Sequence, residues 1–102
     1  MPIGGPRYRL TAPMVEGAPD ERGVYALWEG EELVYYGRAS GRGTSIQRAL
    51  RAHAAGGADA CTGRATHYGW EICFDPVARE AELLAEFQAR FNRLPRCNAA
   101  PP

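Results

Sequence analysis

The sequence predicts an α+β domain in which a small three-stranded antiparallel sheet is flanked by helices. Three observations predict it. Gly23 to Trp28 and Leu33 to Gly37 are short runs rich in Val, Leu, Tyr and Trp, separated by the turn-forming Glu29-Gly30-Glu31. Thr66 to Phe74 places Tyr68, Trp70, Ile72 and Phe74 at alternate positions, the period of a half-buried strand. Two further segments carry apolar side chains at helical spacing, each behind a recognisable start signal.

Taken in order, residues 1–22 are rich in Pro, Gly and charge, and only Tyr8 to Leu10 resembles a strand fragment, so an irregular arm over the body is expected. The body spans residues 23–98. Its first two strands form an antiparallel hairpin, followed by a flexible basic loop, Arg38-Ala39-Ser40-Gly41-Arg42-Gly43. Thr44-Ser45-Ile46-Gln47 matches the capping pattern that starts a helix, expected to run to about Ala55 and to end at Gly56-Gly57. Ile46, Ala49, Leu50 and His53 fall on one face of it, which sets His53 beside an apolar stripe. After the third strand, Asp75 caps a second helix with Pro76 at its first position, where a missing N–H costs nothing. Its expected apolar face holds Val77, Ala81, Leu83, Leu84, Phe87 and Phe91, and Pro95 stops it. Residues 99–102 form a frayed tail.

A chain of 102 residues has room for one core. No apolar run approaches the roughly 18 residues of a membrane span, and no basic stretch followed by an apolar segment opens the chain, so a cytoplasmic protein without membrane contact is expected. Cys61, Cys73 and Cys97 are odd in number and widely spaced, which predicts reduced thiols rather than a disulfide or a structural zinc site. Formal net charge is zero, but its distribution is uneven. Glu16 to Glu32 is acidic, whereas Arg38, Arg42, Arg48, Arg51 and Arg64 face only Asp59, a modest footprint for a polyanion. Every basic side chain is arginine, which favours planar, bidentate phosphate contacts.

Gly23-Val24-Tyr25 and Tyr35-Tyr36-Gly37 resemble the two signature motifs of the GIY-YIG endonuclease superfamily, which includes the N-terminal nuclease of a DNA-repair excinuclease. The likeness continues through the Arg- and His-bearing helix to Glu86-Phe87-Gln88-Ala89-Arg90-Phe91-Asn92-Arg93-Leu94-Pro95-Arg96-Cys97-Asn98, similar to the family's closing pattern of glutamate, helix, proline and asparagine. The resemblance implies hydrolysis of DNA phosphodiesters with one divalent cation, Mg²⁺ or Mn²⁺. It implies Glu86 as the metal ligand, with Glu82 as the alternative. Tyr25 would accept a proton from the attacking water and Tyr35 would orient the phosphate. A phenol with a pKa of about 10 needs cationic neighbours for that work. An arginine would stabilise the transition state.

Family members carry that arginine one turn before the helix histidine, and here the position is Ala49. Arg48 is therefore the first choice, with Arg51 or Arg38 next. The implied catalytic set is Tyr25, Tyr35, Arg48, His53 and Glu86; Arg38, Arg42 and Arg51 would contact DNA, and Gly37 and Asn98 would be structural. So small a domain leaves specificity to a partner protein or a homodimer. Two other readings are a nucleic-acid-binding module that has lost cleavage and a protein-interaction domain using the acidic Glu16 to Glu32 stretch.

Overall fold

The computed structural model describes residues 3, 5–56 and 59–99; Gly57 and residues 100–102 of the expected helix end and tail lie outside them. The elements are β1 (Tyr8–Arg9), α1 (Ala12–Val15), β2 (Gly23–Glu29), β3 (Glu32–Ala39), α2 (Ile46–Ala54), β4 (His67–Ile72) and α3 (Pro76–Phe91), with a 3-10 turn at Thr62–Arg64. The sheet has four antiparallel strands in the order β1-β4-β2-β3, one more than expected.

The extra strand comes from the N-terminal arm. Tyr8 pairs with Tyr68 and Arg9 with His67, the two tyrosine rings lie 5.5 Å apart, and the Tyr68 hydroxyl donates to the Met14 carbonyl at 2.7 Å. Two residues hold too little pattern to declare a strand, and the pairing depends on a ring 60 positions away in sequence. Val15, on α1, is buried in the same cluster.

Strand β2 lies between β4 and β3, and residues 23–28 of it are all buried, which explains its unbroken apolar run. The sheet divides the core. On one side Tyr25, Leu27 and Tyr68 pack with Val15, Ile46 and Leu50 of the first two helices. On the other, Val24, Ala26, Trp28 and Tyr36 pack with Leu83 and Phe87 of α3. A bulge lies between Leu27 and Trp28: they pair with Tyr35 and Leu33, and Val34 is the extra residue.

Both long helices start where the sequence indicates. Ser45 accepts the Arg48 amide at 3.1 Å and Asp75 accepts that of Ala78 at 3.2 Å. Gln47 does not complete a capping box; its amide donates to the Glu16 and Ala18 carbonyls and ties α2 to the arm. The buried stripe of α3 is Pro76, Leu83 and Phe87, whereas Val77 and Phe91 are half-exposed. Asn92 in the left-handed region, φ 61°, ends this helix three residues before Pro95.

The expectation of three reduced thiols is corrected. Cys61 and Cys97 form a disulfide, and only Cys73 is free. Spacing in sequence does not reveal it because the two meet only through the fold, where the turn after α2 approaches the returning chain end. Cys97 donates its amide to Val34, and the Asn98 side chain accepts the Tyr36 amide and donates to its carbonyl at 2.8 and 2.9 Å, so this end is laid along β3. Closing a loop across 36 positions stabilises the fold by about 4 kcal/mol in the chain-entropy account. Thiol titration in denaturant is expected to find one reactive cysteine per oxidised chain and three after reduction. Cys97→Ser should lower the unfolding free energy by about 2–5 kcal/mol in a denaturant titration.

Candidate functional site

Tyr25 and Tyr35 project from adjacent strands onto the α2 side of the sheet, with ring centroids 6.1 Å apart. Tyr25 is opposite Gly37 in the register, and its ring crosses that glycine so closely that a Cβ there would sit under 3.0 Å from the phenol. No side chain other than hydrogen fits beneath the ring. The Tyr25 ring therefore requires glycine at position 37.

His53, from the last turn of α2, completes a three-ring cluster. Its centroid lies 5.5 Å from Tyr25 and 5.7 Å from Tyr35, and its Nε2 is 3.1 Å from the Tyr25 hydroxyl. Its Nδ1 is buried without a hydrogen-bond partner among the described residues. Leu50 and Ile46 on the same helix are fully buried and fix the helical phase that points His53 inward.

An ion pair on the α3 face of the edge strand β3 acts on the cluster through its charges. Arg38, the residue after Gly37 on β3, holds Glu80 of α3 at 2.6 Å, and the Glu80 side chain is only 15% exposed against 47% for Arg38. Glu80 is the carboxylate whose charge acts on both phenols.

The electrostatics follow from burial. Burial raises the Tyr25 pKa above the ordinary phenol value, and Tyr35 and Glu80 add to the rise. Tyr35 is raised by burial first, then by Glu80 and Asp59, with Arg38 opposing. Burial lowers His53, and the Asp59 charge partly offsets this. At neutral pH the cluster therefore holds two protonated phenols and a neutral imidazole. Such an imidazole has one lone pair that accepts a proton, on whichever nitrogen the tautomer leaves bare, and the Tyr25 hydroxyl meets Nε2.

The other expected residues lie elsewhere. Arg48 donates to the Gly43 carbonyl at 3.0 Å and approaches Asp20 at 3.8 Å, while Arg51 makes a two-point pair with Glu16 at 2.7 and 2.8 Å. Arg42 lines the cleft of the loop before α2, together with Arg48. Of the three arginines weighed for catalysis, Arg38 is the one whose charge reaches a phenol of the cluster. Glu86 is exposed and acts on Tyr36, which packs on the opposite face of the sheet, and Glu82 pairs with Arg79 at 3.1 Å. Glu80 and Asp59 were missed. A signal for Glu80 existed: Pro76, Glu80, Leu83 and Phe87 fall at i, i+4, i+7 and i+11, so Glu80 is the charged member of the buried stripe. For Asp59, in a loop turn where it accepts the Thr62 amide at 2.9 Å, the sequence carries none.

Among the described residues no group of three His, Cys, Asp or Glu side chains could hold a metal ion. A single carboxylate, Glu80, suits only a cation that keeps most of its waters, which is the habit of Mg²⁺.

The lowered His53 pKa fixes the sign of a pH dependence. Between that value and the ordinary 6.5 the unfolded chain binds more protons than the folded one, so this contribution is complete above 6.5 and is lost as pH falls through the folded pKa. Denaturation midpoints measured from pH 8 to pH 5 should decline below about pH 6.5, and His53→Leu should flatten that limb. Gly37→Ala should displace the Tyr25 ring and cost about 1–3 kcal/mol, the range for overpacking a core, by the same measurement.

No family model matches this chain, and no curated protein or solved structure matches it either.

Proposed function

We propose that the domain is a metal-dependent DNA endonuclease that hydrolyses phosphodiester bonds at the Tyr25, Tyr35 and His53 cluster. The observation that carries this reading is the convergence of three proton-handling rings within reach of the charges of Arg38 and Glu80. In the proposed reaction the attacking water gives a proton to the Tyr25 oxygen as the Tyr25 hydroxyl proton moves to Nε2 of His53. The phenol thus relays a proton without becoming a buried phenolate, which its raised pKa disfavours. Tyr35 donates a hydrogen bond to a phosphate oxygen and orients it. Arg38 turns from Glu80 to the phosphate and stabilises the charge that develops there.

Glu80 is then the residue that holds the cation, in place of Glu86. A bound Mg²⁺ or Mn²⁺ supplies charge neutralisation at the phosphate. The arginine-rich segment from Arg38 to Arg64, with Arg42 exposed on its loop, provides the attraction for a polyanion.

A second reading, a nucleic-acid-binding module without cleavage, is favoured by one observation. Arg38 and Glu80 neutralise each other at close range, and burial keeps both phenols protonated.

Nicking of supercoiled plasmid with Mg²⁺ or Mn²⁺ separates the two. The nuclease reading expects nicking that falls about 10²–10⁴-fold in Tyr25→Phe and His53→Leu, and about 10²–10³-fold in Arg38→Ala. Glu80→Gln should remove it and Glu86→Gln should retain it; the reverse pattern would assign the metal to Glu86. The rate should be level with pH above 6.5 and decline only in more acidic buffer, because burial holds the His53 pKa below its ordinary value. Salt-sensitive DNA binding with no nicking in either metal would favour the binding module.

A further inference from the structure

On the face of the sheet opposite the tyrosine cluster, four aromatic rings meet in one cleft of about 400 Å³ between the β2–β3 turn and the last turns of α3. Its floor is Trp28, Tyr36 and Phe87, each less than a tenth exposed. Phe91 stands at the mouth, half-exposed, 4.5 Å from Phe87 between centroids. Three guanidinium groups lie over these rings: Arg7 at 4.6 Å from Trp28, Arg90 at 5.4 Å from Phe91 and Arg93 at 5.4 Å from Phe87.

The charges around the cleft sort into two sets. Glu31 is within 3.6 Å of Arg7, and Glu32 is within 3.6 Å of Arg96, so both acidic residues lining the cleft have cationic partners. Arg90 and Arg93 have no carboxylate partner among the described residues; Arg93 reaches only the Leu94 carbonyl, at 3.0 Å. The remaining acid is Glu86, whose charge acts on the Tyr36 hydroxyl. A half-exposed ring, guanidinium groups lying over aromatic rings and two unmatched positive charges suit a ligand that alternates flat bases with phosphates. Duplex DNA hides its base faces, whereas a single strand presents them.

We propose that this cleft binds a segment of single-stranded DNA, one base stacking on Phe91 and the flanking phosphates meeting Arg90 and Arg93. The cleft rests on its own residues. It draws on the nuclease reading only for the class of ligand, and with that reading it gives the chain a hold on an unpaired strand behind the sheet while the tyrosine face meets the scissile phosphate.

The test is fluorescence anisotropy of a labelled twelve-residue oligothymidylate titrated with the intact chain at several salt concentrations. Phe91→Ala removes a half-exposed ring and should weaken binding about 5- to 150-fold, the range for one stacked base. Arg90→Ala with Arg93→Ala should lower the slope of log affinity against log salt by about 1.4, two phosphates' worth for a single strand. Glu86→Gln, which removes the opposing charge, should tighten binding. Circular dichroism melts verify that each variant is folded.

Oligothymidylate affinity unchanged in Phe91→Ala and in the double arginine variant would overturn the proposal, as would loss of that affinity in Arg38→Ala alone. Plasmid nicking without oligothymidylate binding would reject the cleft and leave the nuclease reading standing. Oligothymidylate binding that needs Phe91, without nicking, would reject cleavage and uphold the cleft.

Discussion

The crossing of the Tyr25 ring over Gly37 is the contact from which the site is built. It needs β2 and β3 in one register, because a shift of a single residue would turn Tyr25 to the α3 side and put a side chain under the phenol. The bulge at Val34 lies on the far side of this crossing, where it alters the alternation without disturbing the Tyr25–Gly37 pair. With the ring held there, its hydroxyl meets His53, and α2 must dock at the angle that Ile46 and Leu50 impose. One glycine thereby links strand pairing, helix docking and the position of a proton acceptor.

The sheet keeps two chemistries apart. On the α2 side the polar atoms are few and enclosed: two phenols and an imidazole whose Nδ1 has no partner among the described residues. Burial there raises both phenols and lowers the imidazole, so all three stay neutral, which suits proton relay and disfavours stored charge. On the α3 side, arginines lie over aromatic rings near the surface, where charge remains solvated and available for contact. The strand alternation that sends Tyr35 to one side and Tyr36 to the other is the reason adjacent tyrosines serve such different surroundings.

Much of this is legible in the chain itself. The hairpin, the third long strand and both long helices have periods and caps that local physics enforces, and the two tyrosines and His53 follow from them. What stays hidden is decided by packing. The strand Tyr8–Arg9 is too short to carry a period, and the disulfide joins two loops whose meeting no local rule encodes. Counting one helical turn back from His53 lands on Ala49 and leaves Arg48 and Arg51 only as off-register choices, yet the charge that reaches Tyr35 is that of Arg38, on a strand, where helical arithmetic does not apply. On α3 the difficulty is phase: Glu80, Glu82 and Glu86 are all plausible until Leu83 and Phe87 are known to face the sheet. Six residues turn a helix by about 600°, so Glu80 and Glu86 point roughly 120° apart and serve different neighbours.

The Arg38–Glu80 pair sets a condition on the proposed reaction. Glu80 is largely buried, so its charge without Arg38 would be poorly solvated and would drive the nearby phenols still further from ionisation. A phosphate that draws Arg38 away strands the carboxylate; a cation that takes the carboxylate strands the guanidinium. Each ligand alone leaves an unmatched charge at the edge of an apolar cluster, and the two together leave none. In the proposed reaction phosphate and cation binding would therefore be coupled through one ion pair, each raising the affinity of the other by the same factor, as linkage requires.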